Sequence, residues 1–566
     1  MKTKLFFALT LATVALLMVL RIPTPVRSAD STATALTGTV RSQEEGLMEG
    51  VLVSAKKTGS TVTVTVVSDA QGRYSFPRAR LEPGRYALRM RAVGYEMDDM
   101  GPVEVTGEKA VQLDLKLHKT HDLSSQLSNG EWIASMPGSH EQKSMFMSCV
   151  SCHSLERIVK SRYNANEWPI ILTRMAGYAP GSTPLRPQKR VALGEANINP
   201  DRLKVQAEYL STINLSSVTK WQYPLRTLPR PTGKATRVII TEYDLPRFDA
   251  QPHDVIVDSD GKLWYSDFGQ LYLGKLDPKT AKVVEYSYPE LKPGFPTGAL
   301  DLEFDHQGNL WLGMMLQGGI AKFDKKTEKF QLYNLPKELN NDVAQIAMVM
   351  PRSHQVDGKV WTNNVGRRSL QRLDVQSGHI ELINPFQNMP KDLPDVTLPH
   401  SVYGIAADSQ NNNYFMDFSN RNIGRIDAKT GEITFYSTPT SRSAPRRGHM
   451  DSQDRLWFAE YLGNNVAMFD THTKKIQEWA VPTPWTGPYD VTWDKNGDLW
   501  TAGMTTDRVI RLNTKTAESI EYLLPRSTNV RRVDVDNSTS PPTFWIGNNH
   551  GASIIKLEPM DAAGNE

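Results

Sequence analysis

Only two cysteines occur in 566 residues, and both fall within Cys149-Val150-Ser151-Cys152-His153. Two thiols three residues apart on one helical turn can add to the two vinyl groups of a haem, and a histidine directly after the second then reaches the iron. That is the C-x-x-C-H attachment pattern. Cys149 and Cys152 are therefore the expected covalent anchors of one haem c, and His153 the expected iron ligand. A structural or redox-active disulfide would need the cysteines but not His153, and no redox-type aromatic precedes Cys149. A zinc site needs four ligands, and no second Cys or His pair stands at suitable spacing.

The elements that must position this motif lie in residues 120–217, the length of a small all-α domain, with a helix leading into Cys149 and an amphipathic segment, Arg202 to Ile213, closing it. The closing Ala207-Glu208-Tyr209-Leu210 resembles the C-terminal helix of class I cytochromes c. That resemblance implies a distal methionine as sixth iron ligand. Met175, 22 residues after His153, is the candidate, although the family often places this residue farther along; Met145, Met147 and His140 are the alternatives, and a core-filling Met175 is the other reading. Met/His ligation would raise the potential relative to bis-His and favour an electron-accepting role.

A chain of this length calls for several cores in series. Lys2 and Lys4 followed by the apolar run Leu5 to Leu20 and Val26-Arg27-Ser28 read as a signal peptide, residues 1–28, cleaved near Ser28. The alternative is an uncleaved anchor, since 16 apolar residues fall just short of the ~18 that span a bilayer. Without Lys2, Lys4, Arg21 and Arg27 the 65 basic residues become 61 against 62 acidic, so the formal charge falls from +3 to −1. With no basic run elsewhere, the footprint of a nucleic-acid binder is missing. The expected product is periplasmic or secreted, has no membrane span after signal removal, and meets a periplasmic electron donor or acceptor.

Residues 34–119 hold short alternating runs between turn signals, among them Gly50-Val51-Leu52-Val53, Thr61 to Val67 and Val111 to Leu117. This spacing predicts a β-sandwich. The Ser68-Asp69-Ala70-Gln71-Gly72-Arg73-Tyr74 hairpin, Pro83-Gly84-Arg85-Tyr86 and Gly94-Tyr95 resemble the carboxypeptidase regulatory-like domain. No zinc-peptidase residues accompany it, so the resemblance implies an accessory spacer or docking module.

Residues 236–559 repeat. Gly261-Lys262-Leu263-Trp264, Gly308-Asn309-Leu310-Trp311, Gly358-Lys359-Val360-Trp361, Asp454-Arg455-Leu456-Trp457 and Gly497-Asp498-Leu499-Trp500, with degenerate copies at Tyr414 and Trp545, make seven copies whose aromatics lie 43 to 53 residues apart. That period suits four-stranded propeller blades. The last copy stops after its third strand, and Thr236 to Tyr243 has the pattern of the missing fourth. The two ends are therefore expected to share a blade, leaving 560–566 as a tail. The fold class is multidomain and mainly β: a β-sandwich, a small all-α cytochrome c domain and a seven-bladed β-propeller.

Asn422-Ile423-Gly424-Arg425-Ile426-Asp427 and Leu456-Trp457-Phe458-Ala459-Glu460 resemble the streptogramin lyase (virginiamycin B lyase) family. That family opens a macrolactone by elimination, and the resemblance implies Mg2+, a general-base histidine opening one blade, and a glutamate after a Trp-Phe pair. Glu460 matches the glutamate. Fourteen residues earlier, Pro445-Arg446 stands where Pro-His would, and His449 is out of register. Pro252-His253 with Asp267 keeps the 14-residue spacing and forms a candidate displaced site. The candidate catalytic residues are thus His253, Asp267, His449 and Glu460. The third residue after each blade aromatic gives Asp267, Met314, Asn364, Asp417, Glu460, Gly503 and Asn548, so three carboxylates are expected on one rim, where they could hold a hard cation. In the clearer copies the eleventh residue before the aromatic gives His253, Leu300, Tyr403, Arg446 and Tyr489, with Arg531 as the approximate equivalent in the last. Such a rim suits a polar small-molecule substrate, and it also suits a water-filled channel.

Three function classes follow. The first, favoured here, is an electron-transfer protein or haem-linked oxidoreductase whose propeller binds a substrate or partner, since a covalent haem would be idle in an elimination lyase. Its architecture is similar to that of quinohaemoprotein dehydrogenases, but the adjacent cysteines of a pyrroloquinoline quinone site are absent. The second is a lyase acting through His253 or His449 with Glu460. The third is a binding module whose haem senses redox state or gas.

Overall fold

The computed structural model describes residues 34–193, 199–351 and 354–560. The expected signal segment, and the tail beyond Met560, lie outside them. Strands dominate the chain, as the sequence pattern predicts.

Six four-stranded antiparallel sheets follow one another in sequence order. Their first strands are Pro252–Val257, Leu302–Phe304, Val349–Met350, Val402–Ala407, Pro445–Met450 and Pro488–Trp493, which open blades 1 to 6 and line the ring's axis against one another. Blade 7 combines Val533–Asp536, Thr543–Asn548 and Ser553–Pro559 with Val238–Asp244 from before blade 1, paired from Val238↔Pro559 to Asp244↔Ser553. The shared blade is where the repeat count puts it.

The repeated Asp–Trp spacing has a plain structural cause. The indole N–H of Trp264, Trp311, Trp457 and Trp500 donates to the turn aspartate six residues earlier, Asp258, Asp305, Asp451 and Asp494, at 2.8 to 3.0 Å. Each aspartate also accepts backbone N–H groups of its own turn. One carboxylate thus fixes the hairpin and satisfies a buried donor. Tyr414 keeps the link, its hydroxyl donating to Asp408.

The N-terminal segment folds as two sheets around a core that includes Leu36, Val53, Tyr74, Phe76 and Leu115. The segment expected as a spacer or docking module is hydrogen-bonded to the propeller. Strand Val62–Val67 pairs with Val238–Asp244, from Ile240↔Thr65 to Tyr243↔Val62, so that one sandwich sheet and blade 7 form a single eight-stranded sheet. Leu52 and Val67 pack into the cluster of Trp500, Tyr522 and Leu557, while Ile239 enters the sandwich core. Arg91 adds an ion pair to Asp507 at 2.7 Å and a hydrogen bond to the Leu524 carbonyl, with side chains 12% and 2% exposed. Removing one member of such a pair leaves a buried charge behind. Arg91→Ala is therefore expected to cost about 3 kcal/mol in a denaturant melt of the whole chain.

Between sandwich and propeller run helices Asn129–Ser135, His140–Ser144, Phe146–Cys149, Glu156–Val159, Trp168–Ala176 and Pro200–Ile213. Capping boxes start the first two, Ser128 with Glu131 and Ser139 with Gln142. Asn199 caps the last, which buries Ala207, Tyr209, Leu210 and Ile213. This segment shares one apolar cluster with Ala444, Tyr461, Tyr489 and Met504 of blades 4 to 6. It sits on the propeller face that carries the starts of the first strands. Among the described residues no helix is long and apolar enough to cross a membrane.

Candidate functional site

Phe146–Cys149 ends at the first cysteine, and Cys152 and His153 follow in the turn beyond it. Both cysteines are unbonded thiols. Burial pushes the Cys149 thiol up to about 12 and raises that of Cys152. His153 Nδ1 lies 2.9 Å from the Ser154 carbonyl, an arrangement in which Nδ1–H donates and Nε2 is left as a lone-pair donor. Burial lowers its pKa, which favours the neutral, ligating form.

The propeller grips this turn by its backbone. Asn529 Nδ2 donates to the Val150 carbonyl at 3.0 Å, Arg531 Nη2 to that of Ser151 at 2.9 Å, and the Tyr461 hydroxyl to that of Met147 at 2.6 Å. His550 Nε2 also meets the Ser151 carbonyl, 3.1 Å away. The C-x-x-C-H turn is therefore seated on the propeller mouth.

Beneath it the eleventh-position residues do meet. His253 Nδ1 lies 2.6 Å from Asp254 Oδ1 and its Nε2 3.1 Å from the Tyr489 hydroxyl, which is hydrogen-bonded to that of Tyr403. Burial holds the His253 pKa down to about 4, so the neutral ring donates to Asp254 and accepts from Tyr489. Arg446 lies over Tyr489, at 3.9 Å, and over Tyr461, Phe418 and Tyr403. Arg531 lies over Tyr489 and Phe268.

One residue farther along the chain stand Asp254, Arg447 and Asp490 within their first strands and Asp301 and Arg532 just before theirs, all of which sequence reasoning missed. Arg447 pairs with Asp254 at 2.8 Å and Asp301 at 2.7 Å, Arg532 with Glu303 at 2.7 Å, and His449 with Asp490 at 3.0 Å. This network plugs the channel. Burial raises Asp301 well above the carboxylate range, whereas Arg447 holds Asp254 below it despite burial. The signal lay in the register: in blades 1, 4, 5 and 6 the pairing of the first strand shifts between its first and fourth residues, as at Pro252/Val255 and Pro445/Gly448. A bulge there re-aims a side chain, so two consecutive residues serve the channel, one at its mouth and one inside.

The remaining sequence candidates are not brought together. Asp267 is bound by Arg247 at 2.6 Å and by the N–H groups of Gly269 and Gln270, not by His253. Asp417 is bound by His400 at 2.6 Å. Glu460 Oε2 accepts from Asn465 Nδ2 at 2.8 Å, and its Oε1 is buried without a partner. The expected convergence of three carboxylates fails because each has a partner within its own blade or the loop entering it, and among the described residues no three Asp, Glu, His or Cys side chains sit close enough to hold one ion. His449 faces Asp490 in the channel and does not bond Glu460. The rim is also no open substrate site, for His253, Tyr489 and Glu460 are all fully buried.

Burial pushes Glu460 up to about 8 from an ordinary 4.5. Between those values the unfolded chain releases this proton and the folded chain keeps it. The contribution is thus full below pH 4.5 and is lost as pH rises through 8. Relative to wild type, Glu460→Gln is expected to gain on the order of 3 kcal/mol between pH 5 and pH 9 in urea melts.

Residues 293–555 match the virginiamycin B lyase family, and residues 35–118 the carboxypeptidase regulatory-like domain. The first match begins after blade 1, so His253 and Asp267 lie outside it. No curated protein matches the chain. Among solved structures, virginiamycin B lyase from Staphylococcus aureus is 23% identical over 56% of this chain and 99% of its own, with a TM-score of 0.47. A streptogramin B lyase is 23% identical over 58% and 99%, also at 0.47. The extracellular domain of a hybrid two-component system from B. thetaiotaomicron is 18% identical over 55% and 39%, at 0.42. The propeller is virginiamycin B lyase-like, and the sandwich beside it carboxypeptidase regulatory-like.

Proposed function

We propose that the protein is an exported monohaem c-type cytochrome that acts in electron transfer or haem-linked oxidoreduction with a periplasmic donor or acceptor, its haem segment seated on a lyase-like propeller. The observation that carries this reading is the Cys149–His153 turn, with His153 Nδ1 tied to Ser154 and Nε2 left to ligate. The chain's donors suit the group. Cys149 and Cys152 would anchor it, and the buried indole N–H groups of Trp132 and Trp168 in the same segment have no partner. Among the described residues, six of the twelve large apolar side chains left exposed lie between Tyr163 and Val205, apolar area of the kind a porphyrin could cover. Met175 is half-buried and outside the segment's apolar cluster, which favours a ligand over a core filler. A bound haem c would supply one-electron transfer.

The test is the visible spectrum and redox titration of full-length protein exported with c-type maturation. A covalent haem of positive potential is expected, and Met175→Ala is expected to abolish the weak charge-transfer band at the red end of the oxidised spectrum. A haem-free product would sink the reading, and an unchanged band would move the sixth ligand to Met145, Met147 or His140.

The family match favours a second reading more directly, an elimination lyase in the propeller. Glu460, held protonated at neutral pH, is suited to a general acid, and Mg2+ would come with this reading. Against it stand Arg446 in place of the base and the covered mouth. Mass spectrometry of a streptogramin B-class lactone incubated with the protein decides: elimination opens the ring without a change of mass, hydrolysis adds a water, and an intact ring excludes both.

A further inference from the structure

The mouth holds positive charge that no carboxylate among the described residues pairs with. Arg446 and Arg531, from blades 5 and 7, are 7% and 2% exposed and flank the same Tyr489 ring. Arg446 Nη1 reaches the Met504 sulfur, 3.8 Å away, and Arg531 Nη2 the Ser151 carbonyl. The Nε–H of each is buried without a partner. Neither guanidinium meets a carboxylate among the described residues. The Arg446 guanidinium lies over the rings of Tyr403, Tyr461 and Tyr489, and burial pushes the Tyr403 and Tyr461 phenols away from ionising.

The next residue on each strand shows the contrast. Arg447 pairs with Asp254 and Asp301, Arg532 with Asp254, Asp301 and Glu303, and Asp490 with His449, so although Arg447 and Arg532 also keep an unpartnered Nε–H, their charges are met within the plug, which has no anion to lend upward. A desolvated guanidinium without a counter-ion is strongly unfavourable, and this mouth holds two around one ring. Their planar forks suit a carboxylate bidentately. The walls around them, Phe268, Phe418, Tyr403 and Tyr461, are aromatic, which suits an organic acid better than a strongly hydrated inorganic anion.

We propose that Arg446 and Arg531 form a buried binding site for an organic carboxylate, lodged between the propeller mouth and the Cys149–His153 turn. The carboxylate comes either from a side arm of a haem anchored at that turn or from a free organic acid. The site stands on the two unpaired arginines and does not depend on the haem reading.

The test is calorimetric titration of full-length protein, produced without haem maturation and kept reduced, with acetate and with benzoate, its fold checked by circular dichroism. Saturable binding is expected, with benzoate the tighter, weakened at least tenfold in Arg446→Gln and in Arg531→Gln and retained in Arg446→Lys. The same titration on haem-carrying protein separates the sources. Lost binding assigns the site to the haem's own carboxylates, and retained binding assigns it to a free acid. Absence of saturable binding in folded wild type, or equal binding by the glutamine variants, overturns the proposal. The visible spectrum reports the haem independently, so a failure of either reading is recognisable by itself.

Discussion

Protein carrying Cys149→Ala and Cys152→Ala, exported with c-type maturation, is expected to show no haem stain on a denaturing gel and no Soret band, where wild type is expected to carry one haem per chain. The expected effect is complete because these are the chain's only cysteines and no other residue can form the thioethers. Each single variant keeps one thioether and is expected to retain haem at reduced yield. The competing interpretation of the pair, a redox-active dithiol, calls for a thiolate near neutral pH, and such thiols sit in electropositive, partly exposed surroundings. Burial drives Cys149 the other way, up to about 12. If wild type takes no haem, thiol labelling across pH settles the rest: a group that reacts near pH 7 would restore the dithiol, and one that stays inert would leave a structural pair.

How much of this was legible depends on the range over which each signal acts. The blade repeat could be read because its aspartate and its tryptophan lie six residues apart, so the bond between Asp258 and Trp264 is a local pattern copied along the chain. The closure of blade 7 followed from counting strands. The mouth residues His253, Tyr403, Arg446 and Tyr489 came from register, since equivalent positions in successive blades must face the same axis, and Arg531 lies three residues before the exact position. The channel plug did not, because strict alternation turns the neighbour of an inward residue outward; the bulges at Pro252/Val255, Pro445/Gly448 and Pro488/Val491 reverse that for Asp254, Arg447 and Asp490, while Asp301 and Arg532 stand just before the first strands of blades 2 and 7, outside any alternation. The partners of the carboxylates were illegible for a different reason. Arg247 reaches Asp267 from the loop before blade 1, and no spacing rule links the two.

The sandwich shows the same limit. Its strands alternate as a free-standing domain's would, and nothing in Val62–Val67 marks it as a partner for Val238–Asp244. The pairing covers an edge that every blade presents and that blade 7 alone shares with a further sheet among the described residues. A blade completed by an N-terminal strand ends in an open edge of unpaired N–H and C=O groups, and such edges invite aggregation. Covering that edge with a second sheet removes it and explains why the sandwich is hydrogen-bonded to the propeller rather than tethered to it.

Ile240→Pro tests this junction where it is most sensitive. Ile240 is fully buried, opposite Leu557 on one side and Thr65 on the other, so one residue serves the ring closure and the sandwich junction together. Proline there removes a ladder N–H in the middle of a sheet, where it is otherwise hardly ever found, and truncates a core isoleucine. The expected loss is on the order of 5 kcal/mol, against about 1 kcal/mol for Ile240→Val, which keeps the backbone intact. Hydrogen exchange should locate the damage. If Val238–Asp244 closes the ring, protection falls in Ser553–Pro559 and Val62–Val67 together, while blades 2 to 5 keep theirs. Loss confined to Val62–Val67 would mean that the C-terminal three strands hold blade 7 without their N-terminal partner, and the shared blade would then be a contact rather than the clasp of the ring.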